Sequence, residues 1–460
     1  MLSFILTVNQ RRINVIPEIL YEDNHIIVAV KPQNLPVQAD DSGDNDMLTI
    51  LKAYIKEKYN KPGNVYLGLV HRLDRPVGGV MVFARTSKAA ARLTDYFKKT
   101  AVHKKYAAVV CGNAPFSKQL ECYMKKDEKT FSSYICNKNT DGAKFAQLSY
   151  ERLAQNSNVA LLDVTLKTGR HHQIRLQLSN DGLPIYGDHR YNPQFINDST
   201  TNIALFAYSL TVEHPITHEI MRFSAIPSGG VWNSFSEYLK CLKEAVTPIY
   251  IDQNIVVCDK QKGQSVARAD GDINNLEDKL SLALGEIYAV HRLDATTDGL
   301  VIFARNQKSF DALSDAFADK QSGCISKYYR CTVIGAPKKS SARLVAYLVK
   351  DENKGLVSIY NNETAHSKQI ITEYTVINKR TVNSVVLSDL EVKLITGRTH
   401  QIRAHLAHIG CPILGDDKYG NREINKQLKC KTVSLRACRI VFNFPGNTFL
   451  SYLNGIEFGE

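Results

Sequence analysis

Short apolar runs bounded by turn residues recur along the chain and alternate with longer amphipathic stretches. An apolar run at 26–30, stopped by a proline, predicts a buried strand. Similar runs at 80–84 and 300–304 each precede a stretch with helical periodicity, at 88–99 and 308–320. ALLDVTL and LSDLEVKL alternate like half-buried strands, and each leads into a predicted helix. Strands and helices are interspersed throughout, which predicts an α+β fold.

The same succession of elements and motifs occurs twice. HRLDRPVGGVMVFAR begins at His71, and HRLDATTDGLVIFAR begins at His291. Each is followed by Lys-x-Tyr, then by KTGRHHQIR or ITGRTHQIR, and finally by YGDHRY or LGDDKY. Because order and spacing are both kept, the chain is an internal repeat. We therefore predict two homologous domains, at residues 14–244 and 245–460.

The segment between the repeats, IPSGGVWNSFSEYLKCLKEAVTP, contains a glycine pair, the only tryptophan and a short amphipathic stretch. It fits the last helix of the first domain as well as it fits a linker, and we place the boundary near Ala245. The N-terminal MLSFILTV is too short to span a membrane and lacks the basic lead of a signal peptide, so we expect a strand there.

Charge and cysteine usage narrow the class of protein. Lys and Arg number 58 against 46 Asp and Glu, and the net charge of +12 favours a polyanionic partner such as nucleic acid, although a merely soluble basic protein has the same balance. The ten cysteines lie singly without a CxxC pair, which argues against a zinc ribbon or a disulfide framework. We expect a cytoplasmic protein without a membrane segment.

Each repeat also contains a set of side chains that can take part in a chemical reaction. A carboxylate stands on a glycine-containing loop, at Asp74 and Asp294, with arginines and a tyrosine in the motifs that follow. An arginine near a carboxylate lowers its pKa and keeps it ionised as a nucleophile or base. Further arginines suit phosphate contacts and base stacking. His400, His405 and His408 lack the spacing of a helical metal pair, so no metal site is predicted.

HRLD with its following glycine, Lys-x-Tyr and GRxHQIR, each present twice, resemble the RluA family of pseudouridine synthases over nearly the whole of both halves. The resemblance implies two fused catalytic domains, each a mixed, largely antiparallel β-sheet flanked by helices. It also implies isomerisation of uridine in RNA without a cofactor. The N1–C1′ bond breaks, the base turns, and C5 bonds to the sugar.

The resemblance further implies a role for each matching position. The Asp would be the catalytic carboxylate, the Tyr would pack on the uracil and help to remove its C5 proton, and the helical Arg would pair with the Asp. These catalytic residues are Asp74, Asp294, Tyr106, Tyr329, Arg175 and Arg403. The arginine of HRLD would occupy the space of the flipped base, whose extrusion costs a few kcal/mol. The expected RNA-binding residues are Arg72, Arg292, Lys104, Lys327, Arg170 and Arg398.

Some positions depart from the family pattern, and two functions stay open. Val77-Gly78-Gly79 stands where the family often has Thr-Ser-Gly, and Gln177 stands where the second half has His405. No S4-type extension is recognisable before the first repeat. The first function is a two-site synthase acting on ribosomal or transfer RNA. The alternative is an RNA-binding or ribosome-assembly protein in which one or both halves are non-catalytic. We expect a monomer.

Overall fold

The computed structural model describes residues 6–8, 11–13, 16–40, 42–99, 103–198, 200–268, 275–318, 323–351, 355–446 and 448–459. The chain divides into two compact units, residues 1–243 and 244–460. Within the described ranges, no helix is both long enough and apolar enough to cross a membrane.

The first unit is built on one eleven-stranded sheet. Its strands are Ile19–Glu22, Ile26–Lys31, Gly68–Leu69, Gly78–Ala84, His103–Cys111, Ser117–Asp127, Ser132–Cys136, Lys144–Gln155, Val159–Leu166, Leu205–Glu213 and Ile220–Ser224. Its α-helices are Met47–Lys58, Ser87–Lys99, Gln173–Asn180 and Ser236–Lys243, with short 3₁₀ helices at Pro193–Phe195 and Gly230–Phe235. A separate two-stranded ribbon, Leu6–Val8 with Arg11–Ile13, precedes the sheet.

The second unit repeats this architecture with another eleven-stranded sheet. Its strands are Pro248–Ile251, Ile255–Lys260, Tyr288–Ala289, Asp298–Ala304, Ile325–Ile334, Ser341–Asp351, Leu356–Tyr360, Lys368–Val382, Val385–Leu394, Leu435–Phe442 and Glu457–Gly459. Its helices are Leu276–Leu284, Gln307–Ala318, Gln401–His408 and Arg422–Gln427, with a 3₁₀ turn at Ser451–Leu453.

Both sheets are mixed and largely antiparallel, as expected. The strand that follows the HRLD loop, Gly78–Ala84, runs parallel to Leu205–Glu213, and the other paired strands of this sheet are antiparallel. In the second unit the parallel pair is Asp298–Ala304 with Leu435–Phe442. The α+β prediction is confirmed.

Two glycines allow this parallel pair to close tightly beside the HRLD loop. Gly79 has a φ of 139°, and an added Cβ would lie 2.5 Å from the carbonyl oxygen of Ala207. Gly299 has a φ of 111°, and an added Cβ would collide with the carbonyl oxygen of Ala437. No other residue type fits such a backbone-to-backbone approach. The glycine of each HRLD motif is therefore explained by sheet packing.

The predicted elements correspond to observed ones. The strand at 26–30 extends to Lys31, and the strands at 80–84 and 300–304 begin two residues earlier than predicted. The helix predicted at 308–320 spans Gln307–Ala318, and residues 319 and 320 lie outside the described part of the chain. Of the predicted N-terminal strand, Leu6–Val8 is a strand, and residues 1–5 are outside the described ranges.

The segment between the repeats is the last helix of the first unit. Trp232, Phe235, Leu239 and Leu242 are buried members of that unit's core. Four large side chains at roughly helical spacing make this segment an integral layer of the fold.

A pattern that occurs in both repeats, Thr-Gly-Arg-x-His-Gln, shapes the entry to the helix that carries each GRxHQIR motif. The Gln173 side-chain oxygen accepts hydrogen bonds from the backbone N–H of Arg170 at 3.0 Å and from the Thr168 hydroxyl at 2.8 Å. Gln401 accepts the same two bonds from Arg398 and Thr396, at 3.1 and 2.9 Å. The spacing of the motif thus fixes a closed loop that aims the following arginine inward.

Candidate active site

Each HRLD loop is supported by a buried lysine. Lys31 Nζ donates to the carbonyls of Pro32, Leu35 and Arg75 at 2.9, 2.7 and 2.9 Å. Because Arg75 directly follows Asp74, these bonds fix the peptide behind the carboxylate. In the second unit Lys260 donates to the carbonyls of Gln261, Gln264 and Ala295 at 3.2, 2.9 and 3.4 Å.

The histidine of HRLD anchors the loop to the sheet. His71 Nε2 accepts the backbone N–H of Val82 at 3.1 Å, and its ring stacks on Phe97 with centroids 4.8 Å apart. His291 Nε2 likewise accepts the N–H of Ile302 at 3.0 Å. Burial, followed by the nearby Lys104, holds the pKa of His71 well below its usual range. His71 is therefore neutral and fixes the loop to the sheet.

The first carboxylate lies at the centre of a network drawn from three separate segments. Asp74 Oδ2 is 3.7 Å from Arg175 Nη1 and 3.7 Å from His172 Nε2. Arg175 donates from Nε and Nη2 to Asp188, at 2.8 and 2.7 Å. The arginine is thus held by Asp188 in two-point contact, and only its third nitrogen faces Asp74.

The second unit builds the same network from the same atoms. Asp294 Oδ2 is 3.4 Å from Arg403 Nη1 and 3.7 Å from His400 Nε2. Arg403 donates from Nε and Nη2 to Asp416, at 2.7 and 2.8 Å. In both units the neighbouring donors approach Oδ2. Among the described contacts of these two side chains, none involves Oδ1.

A tyrosine orients each histidine of this network. The Tyr191 hydroxyl accepts the backbone N–H of Ser133 at 2.7 Å and lies 2.9 Å from His172 Nδ1. A hydroxyl that accepts from Ser133 can donate its own proton to Nδ1, and in that tautomer the imidazole proton is on Nε2, toward Asp74. The matching distances in the second unit, for Val357, Tyr419 and His400, are 2.9 and 2.9 Å.

Backbone conformation and electrostatics distinguish these histidines. His172 and His400 adopt left-handed φ values of 55° and 54° at the start of their helices, a conformation that, among residues other than glycine, is found mainly for asparagine, aspartate and histidine. Burial first, and then Arg175, lowers the pKa of His172 to about 2. Burial also lowers the pKa of His400. Each histidine is therefore an uncharged donor beside a carboxylate.

The predicted tyrosines lie under the carboxylates in both units. Tyr106 and Tyr329 are buried, on the central strands that follow the HRLD-containing part of each sheet. Burial, and then the adjacent carboxylate of Asp74 or Asp294, raises the pKa of each phenol far above its usual value. Both phenols are therefore protonated at neutral pH and can offer an apolar face to a base.

The predicted RNA-binding residues occupy different places. Arg72 and Arg292 are exposed on their loops. Lys104 Nζ lies inside, 3.1 Å from His71 Nδ1, and burial lowers its pKa to about 7. Lys327 Nζ lies 4.8 Å from the centre of the Phe317 ring.

The two loop arginines that precede the GRxHQIR helices remain at the surface. Arg170 and Arg398 are exposed, and Arg170 Nε donates to the carbonyl of Phe145 at 2.9 Å. Asp, Tyr and helical Arg are thus brought together. The two lysines lie beneath the loop, and the four other arginines are exposed.

The sequence reasoning missed two partners of the carboxylate network. Asp188 and Asp416 hold the helical arginines, and His172 and His400 face the carboxylates of Asp74 and Asp294. A signal existed, because YGDHRY and LGDDKY repeat with the same offset as GRxHQIR. An aspartate in such a motif is a natural partner for a buried arginine.

The first unit has an open cavity of about 810 Å³ over its carboxylate. This volume lies in the range of small-ligand sites. The lining combines cationic and polar groups with one exposed aromatic ring, and it includes Arg72, Asp74, Phe131, His172, Arg175 and Arg190. A flipped nucleotide with its flanking phosphates has the chemistry that this lining accommodates.

The histidines weighed as metal ligands have other partners. His400 contacts Tyr419, His405 Nδ1 lies 3.0 Å from the Thr372 hydroxyl, and His408 Nε2 lies 2.8 Å from Asn361 Oδ1. In the described part of the chain, no group of three or more His, Cys, Asp or Glu side chains is arranged to hold a metal ion.

Comparisons with known proteins converge on one family. The sequence model of the RNA pseudouridylate synthase family matches residues 25–180 and 254–408. Ribosomal large subunit pseudouridine synthase C of Rickettsia conorii is 34% identical over 191 residues, which is 40% of this chain and 61% of that protein. The protein of the same name from Buchnera aphidicola is 31% identical over 235 residues, or 48% of this chain and 71% of that protein.

Solved structures match this chain at lower identity. Human RNA pseudouridylate synthase domain containing 4 is 23% identical, with a TM-score of 0.38, over 45% of this chain and 87% of that one. Among the curated relatives, the match to the Rickettsia protein spans about three fifths of that protein's length.

Proposed function

The chain belongs to the RNA pseudouridylate synthase family, and from that premise we propose that each of its two units isomerises uridine to pseudouridine in structured RNA. The observation that carries this proposal is the carboxylate network built twice from the same atoms. In both copies the Asp is flanked at Oδ2 by an arginine and a neutral histidine, while Oδ1 is left free among the described contacts. Such a carboxylate is oriented and accessible.

The arginine in each network stabilises the carboxylate without neutralising it. Arg175 shares its charge with Asp188, which holds two of its nitrogens, and therefore meets Asp74 at 3.7 Å and not in a close ion pair. A close bidentate pair would occupy both carboxylate oxygens and lower their reactivity. The longer contact leaves Asp74 able to act on the sugar or the base of the bound uridine.

The remaining predicted residues receive roles that follow from where they lie. Tyr106 and Tyr329 pack against the uracil ring. Because their raised pKa keeps both phenols protonated, either one can accept the C5 proton only after its own proton has passed to the neighbouring carboxylate of Asp74 or Asp294. Arg72 and Arg292, exposed on the loop, fill the gap left by the flipped base. Lys104 and Lys327 support the loop from inside rather than binding phosphate.

The substrate we propose is ribosomal RNA, with transfer RNA as the second candidate. The relatives named above are ribosomal large subunit synthases, and the net charge of +12 suits a polyanion. We further propose that the protein works as a cytoplasmic monomer without a cofactor. A role in which one half only grips RNA is disfavoured because the network is complete in both units.

The test is a search for the product. Purified protein is incubated with unmodified transcripts of ribosomal and transfer RNA, and pseudouridine is mapped by carbodiimide labelling and primer extension. We expect new stops at defined uridines that disappear when Asp74 and Asp294 are both changed to Ala. Absence of stops on every transcript, with the protein folded, would contradict the proposal.

A further inference from the structure

The hairpin beside the Asp74 cavity carries an exposed phenylalanine. Phe131 lies in the turn between Ser117–Asp127 and Ser132–Cys136, lines the cavity, and is 63% exposed. Leaving a phenyl ring in water forgoes the free energy that burial would give. A ring in this position, next to a carboxylate network, suggests a ligand that covers it.

The backbone of this turn does not favour a phenylalanine. Phe131 has a φ of 50°, a left-handed conformation that is strained for a bulky residue. In the second unit the equivalent hairpin pairs Asp351 with Leu356, as the first pairs Asp127 with Ser132. The residue before the second strand is then Gly355, with a φ of 59°.

The comparison of the two turns separates what the fold requires from what it does not. The fold requires a left-handed residue at this position, and glycine adopts that conformation without strain. Phenylalanine at the first site is not explained by folding. Its presence despite strain and exposure points to a function of the ring itself.

The surroundings hold the ring in place and give it a cationic setting. The Asp127 side chain accepts the N–H of Lys129 at 2.9 Å and the Thr130 hydroxyl at 2.8 Å. Arg190 donates to the Thr130 carbonyl at 2.6 Å, which ties the turn to the segment that follows Asp188. Lys126 Nζ lies 5.3 Å from the centre of the Phe131 ring.

We propose that Phe131 is a stacking platform for an unpaired RNA base that neighbours the uridine in the Asp74 cavity. This inference rests on the proposed function. Aromatic rings bind single-stranded bases by stacking, with little regard to base identity, while adjacent cations bind the flanking phosphates. Because Gly355 offers no ring, the two sites differ in the RNA context that they accept.

The experiment isolates the first site and removes only the ring. In the full chain carrying Asp294→Ala, tritium release from C5-tritiated ribosomal RNA transcript is measured with Phe131, Phe131→Gly and Phe131→Tyr. Phe131→Gly copies the second unit's turn and relieves strain, so its thermal midpoint should stay level or rise. We expect KM to increase roughly tenfold for Phe131→Gly while kcat stays nearly unchanged. Phe131→Tyr should keep KM close to its value with Phe131, because tyrosine also offers a ring.

Two controls make each outcome decisive. The chain carrying Asp74→Ala, in which only the second site reports, should lose far less on Phe131→Gly, and an equal loss there would overturn the inference. Binding of a single-stranded oligoribonucleotide containing 2-aminopurine is read in parallel, because stacking on Phe131 quenches its fluorescence. If the Asp294→Ala chain releases no tritium, the proposed function fails. If the 2-aminopurine fluorescence is quenched equally with and without the Phe131→Gly substitution, the stacking site itself is refuted.

Discussion

Removal of Asp188 from its bidentate contact with Arg175 should be one of the most destabilising single substitutions in the first unit. Both side chains are buried, at 0% and 6% exposure, and two bonds of 2.7 and 2.8 Å join them. Asp188 also accepts the backbone N–H groups of Arg190 and Tyr191, at 2.9 and 3.2 Å. Replacing it with Asn keeps the shape of the side chain but removes the closest counter-charge of a buried guanidinium, and only the longer contact with Asp74 at 3.7 Å remains.

Breaking one partner of a buried ion pair costs about 3–5 kcal/mol. With a urea m-value of roughly 2–3 kcal/mol/M, Asp188→Asn should lower the unfolding midpoint by about 1–2.5 M. Unfolding of the first unit can be followed by tryptophan fluorescence, because the only tryptophan of the chain, Trp232, is buried in the core of that unit. Trp232 fluorescence in urea therefore reports that unit.

Two matched variants give the result its meaning. Asp416→Asn removes the equivalent bond in the second unit and should leave the Trp232 transition nearly in place. Asp141→Asn, at an exposed position, removes a charge without a buried contact and should change the free energy of unfolding by less than about 0.5 kcal/mol. A midpoint shift below about 0.3 M for Asp188→Asn, with an unchanged m-value, would refute the reasoning.

Three further predictions address the loop, the histidine and the buried lysine. Gly299→Ala should destabilise the second unit by about 3 kcal/mol or more in thermal unfolding, because its Cβ meets the Ala437 backbone, whereas Gly63→Ala has open space and should be nearly neutral. In a chain carrying Asp294→Ala, His172→Gln should retain most of the tritium release, because the Gln side chain can place an N–H near the Nε2 position. His172→Asn suits the left-handed backbone better but cannot reach that position, so its rate of tritium release should fall roughly tenfold. Equal rates for the two variants would show that the Nε2 proton is not used. Burial lowers the pKa of Lys104 from 10.5 to about 7, so the unfolded chain binds more protons between these values and stability should rise with pH from about 7 toward 10. Lys104→Met should flatten this rise of the free energy of unfolding with pH, measured by urea unfolding with Trp232 fluorescence. An unchanged slope would contradict the claim that the Lys104 amine is neutral in the folded protein.

The pattern of apolar and polar positions predicted the strands and helices well, because burial of an element is reflected in its own residues. The apolar runs that became Ile26–Lys31 and Gly78–Ala84 are buried on both faces, and continuous apolar runs are typical of such strands. The repeat predicted the two-unit architecture, because equivalent sequences build equivalent sheets. The motif spacing also predicted that Arg175 enters a helix.

The remaining features depend on segments that meet only in the fold. The Asp188 contact joins a helix to a later loop, and the Tyr191 hydroxyl joins a histidine to a backbone N–H on a hairpin strand. Neither geometry has a local signature. The left-handed φ values of His172 and Phe131 became visible only through the backbone angles.

The central claim is that both units carry a working active site. Tritium release from C5-tritiated RNA is measured for the unaltered chain, Asp74→Ala, Asp294→Ala and the double variant, with folding checked by thermal unfolding. The account predicts that each single variant retains part of the release and that only the double variant is silent. Complete loss in either single variant would show that one half does not catalyse, and release by the double variant would show that neither carboxylate is essential.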